Sequence, residues 1–469
     1  MKRRTKIVCT LGPAVESREA IKALIAAGMN VARINCAHGD WDIRRKWVEW
    51  VRELSPEAGP VGVLVDLQGP KFRIGPVAGG AVSLGPKEKV IVGPGAAVTI
   101  PIPAPEVFGS LGTRSRILLG DGEVELRIGE RVSEGYEATV VSGGTVKSRQ
   151  GITIVGKTLP APAMTDRDRA DAEEACKLGA EFIALSYVRS APDLGELHSI
   201  VEKHGGRARV CAKIETAQAL KNLDEVLGAA HLAMVARGDL GLQIDLEEVP
   251  LAQKRIIRRC NELGKPVITA TQMLESMIRS PRPTRAEAGD VANAILDGTD
   301  AVMLSAETAI GDYPIEAVST MSRIARETEP LFDHAAVMSR FAARHDPKVD
   351  STQAIAHAAV SIADFTKPAA ILTTTTSGQT ACLVSRFRPS APILCATWDP
   401  VTQRQMSVVW GVEAIHVPLP SSTDEIVSHS VEGFKTCRRL KVGETVIITA
   451  GVPAGTPGNT NLILYHRVA

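Results

Sequence analysis

The sequence lacks an excess of charge of either sign. Its 469 residues include 54 Lys and Arg against 53 Asp and Glu, which leaves a formal net charge of +1. A protein with such a balance has no global field to attract a polyanion. We therefore expect neither nucleic acid nor an acidic membrane as a partner.

Paired cysteines and long apolar runs are also absent. The eight cysteines form no Cys-x-x-Cys pair and have no histidine at zinc-site spacing, which is typical of reduced core thiols in the cytoplasm. The N-terminus has no apolar stretch typical of a signal peptide. The longest charge-free tail stretch, residues 445–465, is interrupted by Gly and Pro and cannot be a spanning helix. We expect a soluble, cytoplasmic protein.

Short apolar runs alternate with amphipathic segments through much of the chain. This alternation is typical of βα units that build a parallel sheet. Eight such units in series predict a (β/α)₈ TIM barrel. The predicted strands are residues 7–9, 31–34, 62–66, 182–186, 210–213, 232–236, 267–269 and 301–304.

The series is interrupted once, after the third strand. Gly- and Pro-rich punctuation and alternating runs predict a small all-β domain without helices over residues 72–155. A loop after a barrel strand lies on the catalytic face, so this insertion is placed to act as a lid. A polar connection over residues 335–349 then leads to a C-terminal α/β domain with a mixed sheet. The predicted domains are 1–71 and 156–334 (barrel), 72–155 (lid) and 335–469 (C-terminal, regulatory).

Charged and hydroxyl side chains follow the predicted barrel strands. Each one alone is more often a solvated surface group, but the ends of barrel strands share one rim, so together they favour a functional site. The rim residues are Arg33, Asn35, Asp66, Ser186, Lys213, Glu215, Arg237, Gly238, Asp239, Thr271, Gln272, Ser305 and Glu307.

Two carboxylates on this rim predict a divalent metal site. Glu215 and Asp239 follow consecutive strands and can share one ion, whose other ligands are water and substrate oxygens, as Mg²⁺ prefers. Lys213 and Glu215 are two residues apart, so their side chains point to the same side of an extended strand end. A lysine beside a metal and facing an arginine favours a phosphorylated anion as the substrate.

Three weaker sequence features each allow a functional and a purely structural interpretation. Residues 269–272 are either functional or an ordinary strand exit, and His38 is either a ligand or a turn residue before a helix that Asp40 caps. In the C-terminal domain, residues 373–380 join a strand to a helix and form either a phosphate cradle or a Ser/Thr cap. Neither GxxxxGK[ST] nor GxGxxG occurs, which removes the main support for those nucleotide folds.

Six stretches resemble the pyruvate kinase family, and the resemblance covers essentially the whole chain. It implies a barrel with an inserted lid and a C-terminal domain, and Mg²⁺- or Mn²⁺-dependent transfer of a phosphoryl group from phosphoenolpyruvate to ADP, the last step of glycolysis. It also implies a homotetramer and a possible phosphometabolite effector. The stretches are 5–13 (TKIVCTLGP), 28–35 (GMNVARIN), 212–216 (AKIET), 236–241 (ARGDLG), 269–276 (TATQMLES) and 303–308 (MLSAET).

The resemblance also implies a role for each rim residue. Lys213 would neutralise the phosphoryl group in flight, and Glu215 with Asp239 would hold the metal. The remaining implied groups are the phosphate clamp, Arg33 and Arg73; the substrate-carboxylate site, Gly238, Asp239 and Thr271; the enolate-protonating network, Thr271 and Ser305; the nucleotide contacts, Asn35, His38 and Arg73; and the effector loop, Thr375, Thr376, Ser377, Gly378 and Thr380.

One departure from the family pattern concerns a monovalent cation. Many members hold K⁺ with Asn, Ser, Asp and Thr side chains. Asn35 and Asp66 match, but Ala37 and Leu67 replace the Ser and the Thr, and Lys71 replaces a common glutamate. We therefore predict that the Lys71 ammonium takes the place of K⁺ and that K⁺ is not required.

Two other departures concern the lid and the effector loop. Gln150 stands where the family has a lysine that contacts nucleotide phosphate; Lys147, Arg149 and Lys157 remain equal candidates to replace it. Gln379 stands where some fructose-bisphosphate-responsive members have a basic residue, so the effector is another phosphometabolite or none.

Two alternatives to the kinase remain. A Mg²⁺-dependent TIM-barrel lyase or aldolase acting on pyruvate or phosphoenolpyruvate would explain the metal cluster but neither extra domain. A non-catalytic phosphometabolite sensor would explain the C-terminal loop but not the retained Lys213 and carboxylates.

Overall fold

The fold begins with three parallel strands joined by two helices. The computed structural model describes residues 2–56, 59–157, 159–343, 351–452 and 460–469. Ser17 begins the first helix by accepting a hydrogen bond from the amide of Ala20 at 3.1 Å, and Gly28 ends it with a φ of 127°. The first elements are β1 (Lys6–Thr10), α1 (Arg18–Ala27), β2 (Val31–Asn35), α2 (Trp41–Leu54) and β3 (Gly62–Asp66).

An all-β region follows β3, apart from one short helix. Its strands form a two-stranded sheet, β10-β4, and a six-stranded sheet in the order β11-β7-β8-β9-β5-β6. The expectation of no helix was wrong at α3, where a proline at the first position favours a helical turn. The elements are β4 (Ala81–Leu84), β5 (Lys89–Gly93), β6 (Ile100–Pro101), α3 (Pro105–Gly109), β7 (Arg116–Leu119), β8 (Val124–Val132), β9 (Gly135–Ser142), β10 (Gly144–Lys147) and β11 (Ile152–Ile154).

The chain then returns to the barrel. Eight parallel strands close in the order β1-β16-β15-β14-β13-β12-β3-β2, which confirms the predicted barrel. The elements are α4 (Asp166–Lys177), β12 (Phe182–Leu185), α5 (Ala191–Lys203), β13 (Arg209–Ile214), α6 (Ala217–Lys221), α7 (Leu223–Ala229), β14 (Leu232–Ala236), α8 (Arg237–Gln243), α9 (Val249–Leu263), β15 (Val267–Ala270), α10 (Arg285–Leu296), β16 (Ala301–Leu304), α11 (Ala306–Ala309) and α12 (Pro314–Thr328).

The C-terminal region is an α/β domain with a mixed five-stranded sheet. The strand order is β19-β18-β17-β20-β21, and only the pairing of β21 with β20 is antiparallel. None of the helices in the described ranges combines the length and the apolar composition that a bilayer crossing requires. The elements are α13 (His334–Ala342), α14 (Ser351–Thr366), β17 (Ala370–Thr374), α15 (Gln379–Ser385), β18 (Ile393–Thr397), α16 (Pro400–Gln405), β19 (Val412–His416), α17 (Thr423–Thr436), β20 (Thr445–Gly451) and β21 (Thr460–Arg467).

The predicted polar connection before this domain was wrong in its first part. Helix α13 occupies it, and Asp333 caps the helix by accepting a hydrogen bond from the amide of Ala336 at 2.9 Å. Val337 and Phe341 of this helix pack against buried residues of the C-terminal domain. Their apolar contacts, which a local reading of the polar sequence does not reveal, stabilise the helix. Residues 344–349 of the predicted connection lie outside the described residues.

The C-terminal domain packs against the amino ends of the barrel strands. Asp300, directly before β16, accepts hydrogen bonds from the Arg388 guanidinium at 3.0 Å and from the amide of Trp410 at 3.1 Å. Glu181, directly before β12, is fully buried and accepts a hydrogen bond from Arg404 at 2.6 Å. The carboxyl ends of the strands, which carry the predicted rim, therefore lie at the opposite end of the barrel.

Candidate active site

Four charged side chains meet at the carboxyl ends of the barrel strands. Arg33 on β2 donates a hydrogen bond from Nε to Asp66 Oδ2 at the end of β3 at 2.8 Å, and its NH2 forms an ion pair with the same oxygen, also at 2.8 Å. Lys213 Nζ on β13 lies 3.4 Å from Asp66 Oδ1 and 3.3 Å from Glu215 Oε2, and it donates to Ser186 Oγ at 2.7 Å. None of the four charged side chains is more than 11% exposed, so their interactions are only weakly screened by water.

The charges in this cluster control one another's protonation. Burial alone would lower the pKa of Lys213, but Asp66, Glu215 and Asp239 outweigh it and hold that pKa above its ordinary value. Burial alone would raise the pKa of Asp66, but Lys213 and Arg33 outweigh it and hold that pKa below its ordinary value. The centre therefore contains a charged lysine and a charged aspartate at neutral pH.

Glu215 is in a different state from Asp66. Burial raises its pKa to about 7 against the opposing effect of Lys213, and the neighbouring carboxylate of Asp239 adds to the rise. Its Oε1 accepts a hydrogen bond from the amide of Tyr187 at 2.6 Å, whereas its buried Oε2 has no hydrogen-bond partner among the described residues. A buried carboxylate oxygen that makes no hydrogen bond with a described residue, and whose ion-pair contact with Lys213 is 3.3 Å, fits a bound cation when a second carboxylate is nearby.

This donor set suits an ion that a substrate helps to hold. No group of three or more His, Cys, Asp or Glu side chains in the described ranges could enclose a metal by itself. Two carboxylates would fill only part of the coordination shell of an ion. This matches the preference of Mg²⁺ for a few protein oxygens supplemented by water and substrate phosphate. The donors Glu215 and Asp239 therefore fit Mg²⁺ or Mn²⁺ and do not form a closed structural metal site.

A strained turn after β15 carries Thr271. Thr271 and Gln272 both have left-handed backbones, with φ of 66° and 52°. Each such residue costs on the order of 1–3 kcal/mol, and a β-branched residue is among the least tolerant. Thr271 Oγ1 accepts a hydrogen bond from the amide of Gly238 at 2.8 Å and donates to the carbonyl of Ala270 at 2.6 Å. The Gly238 amide, expected to bind a substrate carboxylate, is thus already bound to the Thr271 hydroxyl.

Ser305 presents a hydroxyl that has no hydrogen-bond partner in the described ranges of the chain. Its Oγ is buried and makes no hydrogen bond with any described residue. Its amide donates to Glu307 Oε2 at 2.7 Å, and the other oxygen of Glu307 accepts from the amide of Leu274 at 3.1 Å. Glu307 therefore fixes the backbone of Ser305, and the hydroxyl is left for a water molecule or a ligand.

The remaining predicted site residues lie at the edge of the cluster. Asn35 accepts a hydrogen bond from the amide of Ala37 at 3.1 Å, and His38 is exposed. Arg73 is exposed and donates to the carbonyl of Arg149 at 3.0 Å. Its charge nevertheless acts on the rim electrostatically, because it opposes the rise that burial, Asp239 and Glu215 produce in the pKa of Tyr187.

Comparison with protein families identifies what this rim resembles. A family model described as pyruvate kinase, barrel domain, matches residues 2–318, and one described as pyruvate kinase, alpha/beta domain, matches residues 353–466. The chain belongs to the pyruvate kinase family.

Relatives and solved structures agree with this assignment. The chain is 42% identical to a pyruvate kinase of Geobacillus stearothermophilus over 479 residues, an alignment that covers 100% of this chain and 81% of that one. It is also 42% identical to a pyruvate kinase of Mycobacterium tuberculosis, with coverage of 100% and 99%. A crystal structure of a pyruvate kinase from Cryptosporidium parvum matches with a TM-score of 0.93 at 33% identity and covers 100% of this chain and 96% of that chain.

The structure shows the surroundings of the residues at which this chain departs from the K⁺-binding pattern of the pyruvate kinase family. Leu67 is buried in the barrel core, and its side chain has no oxygen with which to bind a cation at the rim. Lys71 is exposed, lines the cleft between rim and lid, and makes no hydrogen bond or ion pair with another side chain in the part of the chain that the structure describes. Asp66 is already neutralised by Arg33 and Lys213.

The lid, defined as residues 72–155, touches the barrel beside α8. Arg116 of the lid donates to Asp245 at 2.7 Å, and the amide of Gly156, the residue directly after the lid, donates to the carbonyl of Gln243 at 3.1 Å. A cavity of about 70 Å³ remains between lid and rim. Gln150, at the position of the family's lysine, is bound to Glu123 at 3.1 Å within the lid.

The predicted effector loop forms a tightly bonded turn between β17 and α15. Thr375 Oγ1 accepts from the amide of Gly378 at 2.9 Å, and Thr380 Oγ1 lies 2.7 Å from Thr460 Oγ1. The carbonyl of Thr376 accepts from Thr402, and the carbonyl of Ser377 accepts from Arg209. The Ser/Thr cap interpretation was wrong, because Gly378 is the residue that caps α15 and no side chain in the described ranges binds the amides of its first turn. The effector site stays a prediction.

Three groups that organise this site, those of Tyr187, Ser186 and Arg237, have roles that are visible only in the structure. Tyr187 supplies the amide that binds Glu215, yet its positive φ of 55° has no signature in the letters. Ser186 and Arg237 were placed on the rim, but only the structure shows that Ser186 binds Lys213 and that Arg237 binds the Thr271 turn. Their position after a strand was the only available signal.

Proposed function

We propose that this chain transfers the phosphoryl group of phosphoenolpyruvate to ADP and so forms pyruvate and ATP. The observation that carries this proposal is the buried cluster of Lys213, Asp66, Arg33 and Glu215 at the barrel rim. A lysine kept charged beside a carboxylate oxygen that makes no hydrogen bond with a described residue suits a multiply charged phosphate ester bound with a divalent ion.

The reaction breaks the bond between phosphorus and the enolate oxygen and forms a bond between phosphorus and a β-phosphate oxygen of ADP. Lys213 neutralises the phosphoryl oxygens as they move, and Arg33 and Arg73 hold phosphate. Such positioning and charge neutralisation provide most of the catalysis in phosphoryl transfer. The enolate carbon gains a proton through the hydroxyl network of Thr271 and Ser305, which the unpaired Ser305 hydroxyl supports.

Different residues bind the metal ion, the carboxylate of the substrate and the nucleotide. Glu215 and Asp239 would hold Mg²⁺ or Mn²⁺, which neutralises phosphoryl and enolate oxygens when bound. Thr271 and the first turn of α8 at Asp239 bind the substrate carboxylate, and Gly238 orients the Thr271 hydroxyl through its amide. The nucleotide is bound by Asn35, His38 and Arg73, and the lid excludes water as a competing acceptor.

A pyruvate assay tests the proposal directly. Purified protein is incubated with phosphoenolpyruvate and Mg²⁺, with and without ADP, and pyruvate and ATP are measured. Equal amounts of pyruvate and ATP that appear only with ADP support the kinase. Pyruvate without ADP would indicate lyase or hydrolase chemistry, and no turnover, with or without sugar phosphates and nucleotides, would favour a phosphometabolite sensor.

We also propose that the Lys71 ammonium takes the place of K⁺. Three features support this: Leu67 offers no side-chain oxygen, the charge of Asp66 is already balanced by two cations, and Lys71 lines the cleft with no side-chain partner among the described residues. Activity should then be the same in a sodium- and potassium-free buffer as with KCl at matched ionic strength.

A charge reversal sharpens this test. Lys71→Glu should lower the activity in potassium-free buffer and restore it when KCl is added. Lys22→Glu, the same change on the exposed side of α1, is the matched control and should stay independent of K⁺. A wild-type protein that needs KCl, or a Lys71→Glu variant that remains fully active without it, would refute the replacement.

We further propose that the protein is a homotetramer controlled through its C-terminal domain. Leu251 on α9 and Leu331 after α12 are 68% and 74% exposed, and Phe365 on α14 is 91% exposed. Such side chains mark a subunit interface where they join into one contiguous apolar patch. Light scattering coupled to gel filtration measures the mass, and titration with sugar phosphates tests the loop at Thr375–Thr380 as an effector site.

A further inference from the structure

Arg237, the first residue of α8, donates hydrogen bonds to three backbone carbonyls of the turn that carries Thr271. Its Nε donates to the carbonyl of Ala270 at 3.2 Å. The terminal NH2 donates to the carbonyl of Thr271 at 2.6 Å and to that of Gln272 at 3.3 Å. One guanidinium thus reaches three consecutive carbonyl oxygens with two of its nitrogens and keeps the third, NH1, for partners on its other side, which the single nitrogen of an ammonium cannot do.

The other side of the guanidinium is anchored to the barrel. Its NH1 lies 2.7 Å from Asp290 on α10 and donates to Gln253 on α9 at 3.3 Å. The side chain of Arg237 is only 10% exposed. A buried arginine with a fixed anchor on one side holds its other donors in one place, so the turn is held against a rigid part of the barrel.

The turn needs such a support. Thr271 and Gln272 are consecutive non-glycine residues with left-handed backbones, and such residues persist only when their surroundings hold them. Gly238, the next residue after Arg237, donates its amide to the Thr271 hydroxyl. The side chain of one residue and the amide of the next therefore hold Thr271 from two sides, and they join it to the helical turn that carries Asp239.

We propose that Arg237 is a positioning residue that fixes the Thr271 hydroxyl for the proton-transfer half of the reaction. This inference rests on the proposed function, in which Thr271 belongs to the network that protonates the enolate carbon. Arg237 itself does not touch the reacting atoms. It holds the carbonyls of the turn so that the Thr271 hydroxyl stays bound between Gly238 and Ala270, at the side of the cluster near Asp239.

A double-mutant cycle tests this role. The variants are Arg237→Lys, which keeps the charge but has only one nitrogen and so cannot bind the turn and Asp290 with separate donors, Thr271→Ala, and the double variant. Removing a proton-transfer group costs on the order of 10²-fold in turnover, so Thr271→Ala should lose about that much kcat and Arg237→Lys about tenfold or more. Because Arg237 acts through Thr271, the double variant should be within about threefold of Thr271→Ala alone.

Exchange of the pyruvate methyl protons in D₂O, followed by NMR with Mg²⁺ and ATP present, reports the proton-transfer step alone. It should slow in Arg237→Lys as much as kcat falls. Arg259→Lys is the matched control, since Arg259 is a partly buried arginine on α9 that pairs with Asp224 and Glu262 away from the turn. It should leave kcat and exchange unchanged.

The outcomes separate the possibilities. Wild-type kcat and exchange in Arg237→Lys, or a double variant whose loss is the product of the two single losses, would overturn the positioning role. An inactive wild-type protein would instead overturn the proposed function. If Arg237→Lys does not fold, Asp290→Asn, which removes the anchor but keeps the arginine, takes its place in the same cycle with the same criteria.

Discussion

Replacing Lys213 by Met removes the one ammonium at the centre of the cluster. Lys213 Nζ lies 3.4 Å from Asp66 and 3.3 Å from Glu215. At an effective dielectric constant of 20, each contact contributes about 5 kcal/mol of attraction, most of which is offset by the cost of burying the ammonium. Breaking a buried ion pair from one side typically costs about 3–5 kcal/mol, so the variant should unfold at a clearly lower denaturant concentration.

The effect on catalysis should be larger than the effect on binding. The ammonium opposes charge that develops as the phosphoryl group moves, so its loss acts mainly in the transition state. Losing one such donor costs on the order of 10²–10³-fold in kcat, and losing a full positive charge should cost at least the upper value. Binding of Mg²⁺ and phosphoenolpyruvate should change little, because Glu215, Asp239 and Arg33 remain.

Initial rates of pyruvate formation give kcat and KM, and isothermal titration calorimetry gives the affinity for phosphoenolpyruvate. Lys265→Met is the control, because Lys265 is a partly buried lysine that donates to the carbonyl of Ala230 at 2.6 Å, remote from the rim. It should lose stability and keep its kcat. A Lys213→Met variant with normal kcat and a greatly weakened affinity for phosphoenolpyruvate would refute the reasoning.

Three other results are expected. Ser305→Ala should lower kcat but change the free energy of unfolding by less than about 0.5 kcal/mol, because the hydroxyl has no partner among the described residues; denaturant titration beside initial rates checks this. The lowered pKa of Asp66 means that its charge stabilises the fold above an unfolded pKa of about 3.9, and this contribution is lost as the pH falls through its lower folded value. The stability difference between wild type and Asp66→Asn, measured by denaturation from pH 7 to pH 3, should therefore shrink in acid. Glu181→Gln should cost about 3–5 kcal/mol, because it leaves Arg404 without its buried partner between barrel and C-terminal domain; an unchanged unfolding midpoint would contradict this.

The barrel could be predicted from the sequence because its strands are short apolar runs at regular intervals. Each run is buried on both faces, so its composition is dictated by burial alone and not by its partners. The rim followed from the rule that catalytic groups lie at the carboxyl ends of such strands. Lys213 and Glu215 could therefore be named in advance, and the structure brings their charged groups to 3.3 Å.

The features that could not be predicted depend on contacts between distant segments. Helix α13 is stabilised by packing of Phe341 against the C-terminal domain, and no local pattern indicates it. The bond from the Tyr187 amide to Glu215 and the left-handed backbone of Thr271 arise where loops from different strands meet. The role of Arg237 likewise depends on carbonyls 33 to 35 residues away in the sequence.

The two ends of the barrel are joined by very short elements, which bears on how a C-terminal domain can affect the rim. Asp300, bound to Arg388 of that domain, is followed by β16, and Ser305 follows β16 directly. Four residues of strand span only about 13 Å at about 3.3 Å per residue. Because these residues are completely or almost completely buried and close-packed, β16 cannot bend to absorb a displacement at Asp300. In the proposed reaction, a shift of the C-terminal domain against the barrel would therefore move the Ser305 hydroxyl relative to Lys213 and so connect the domain mechanically to the proposed proton transfer.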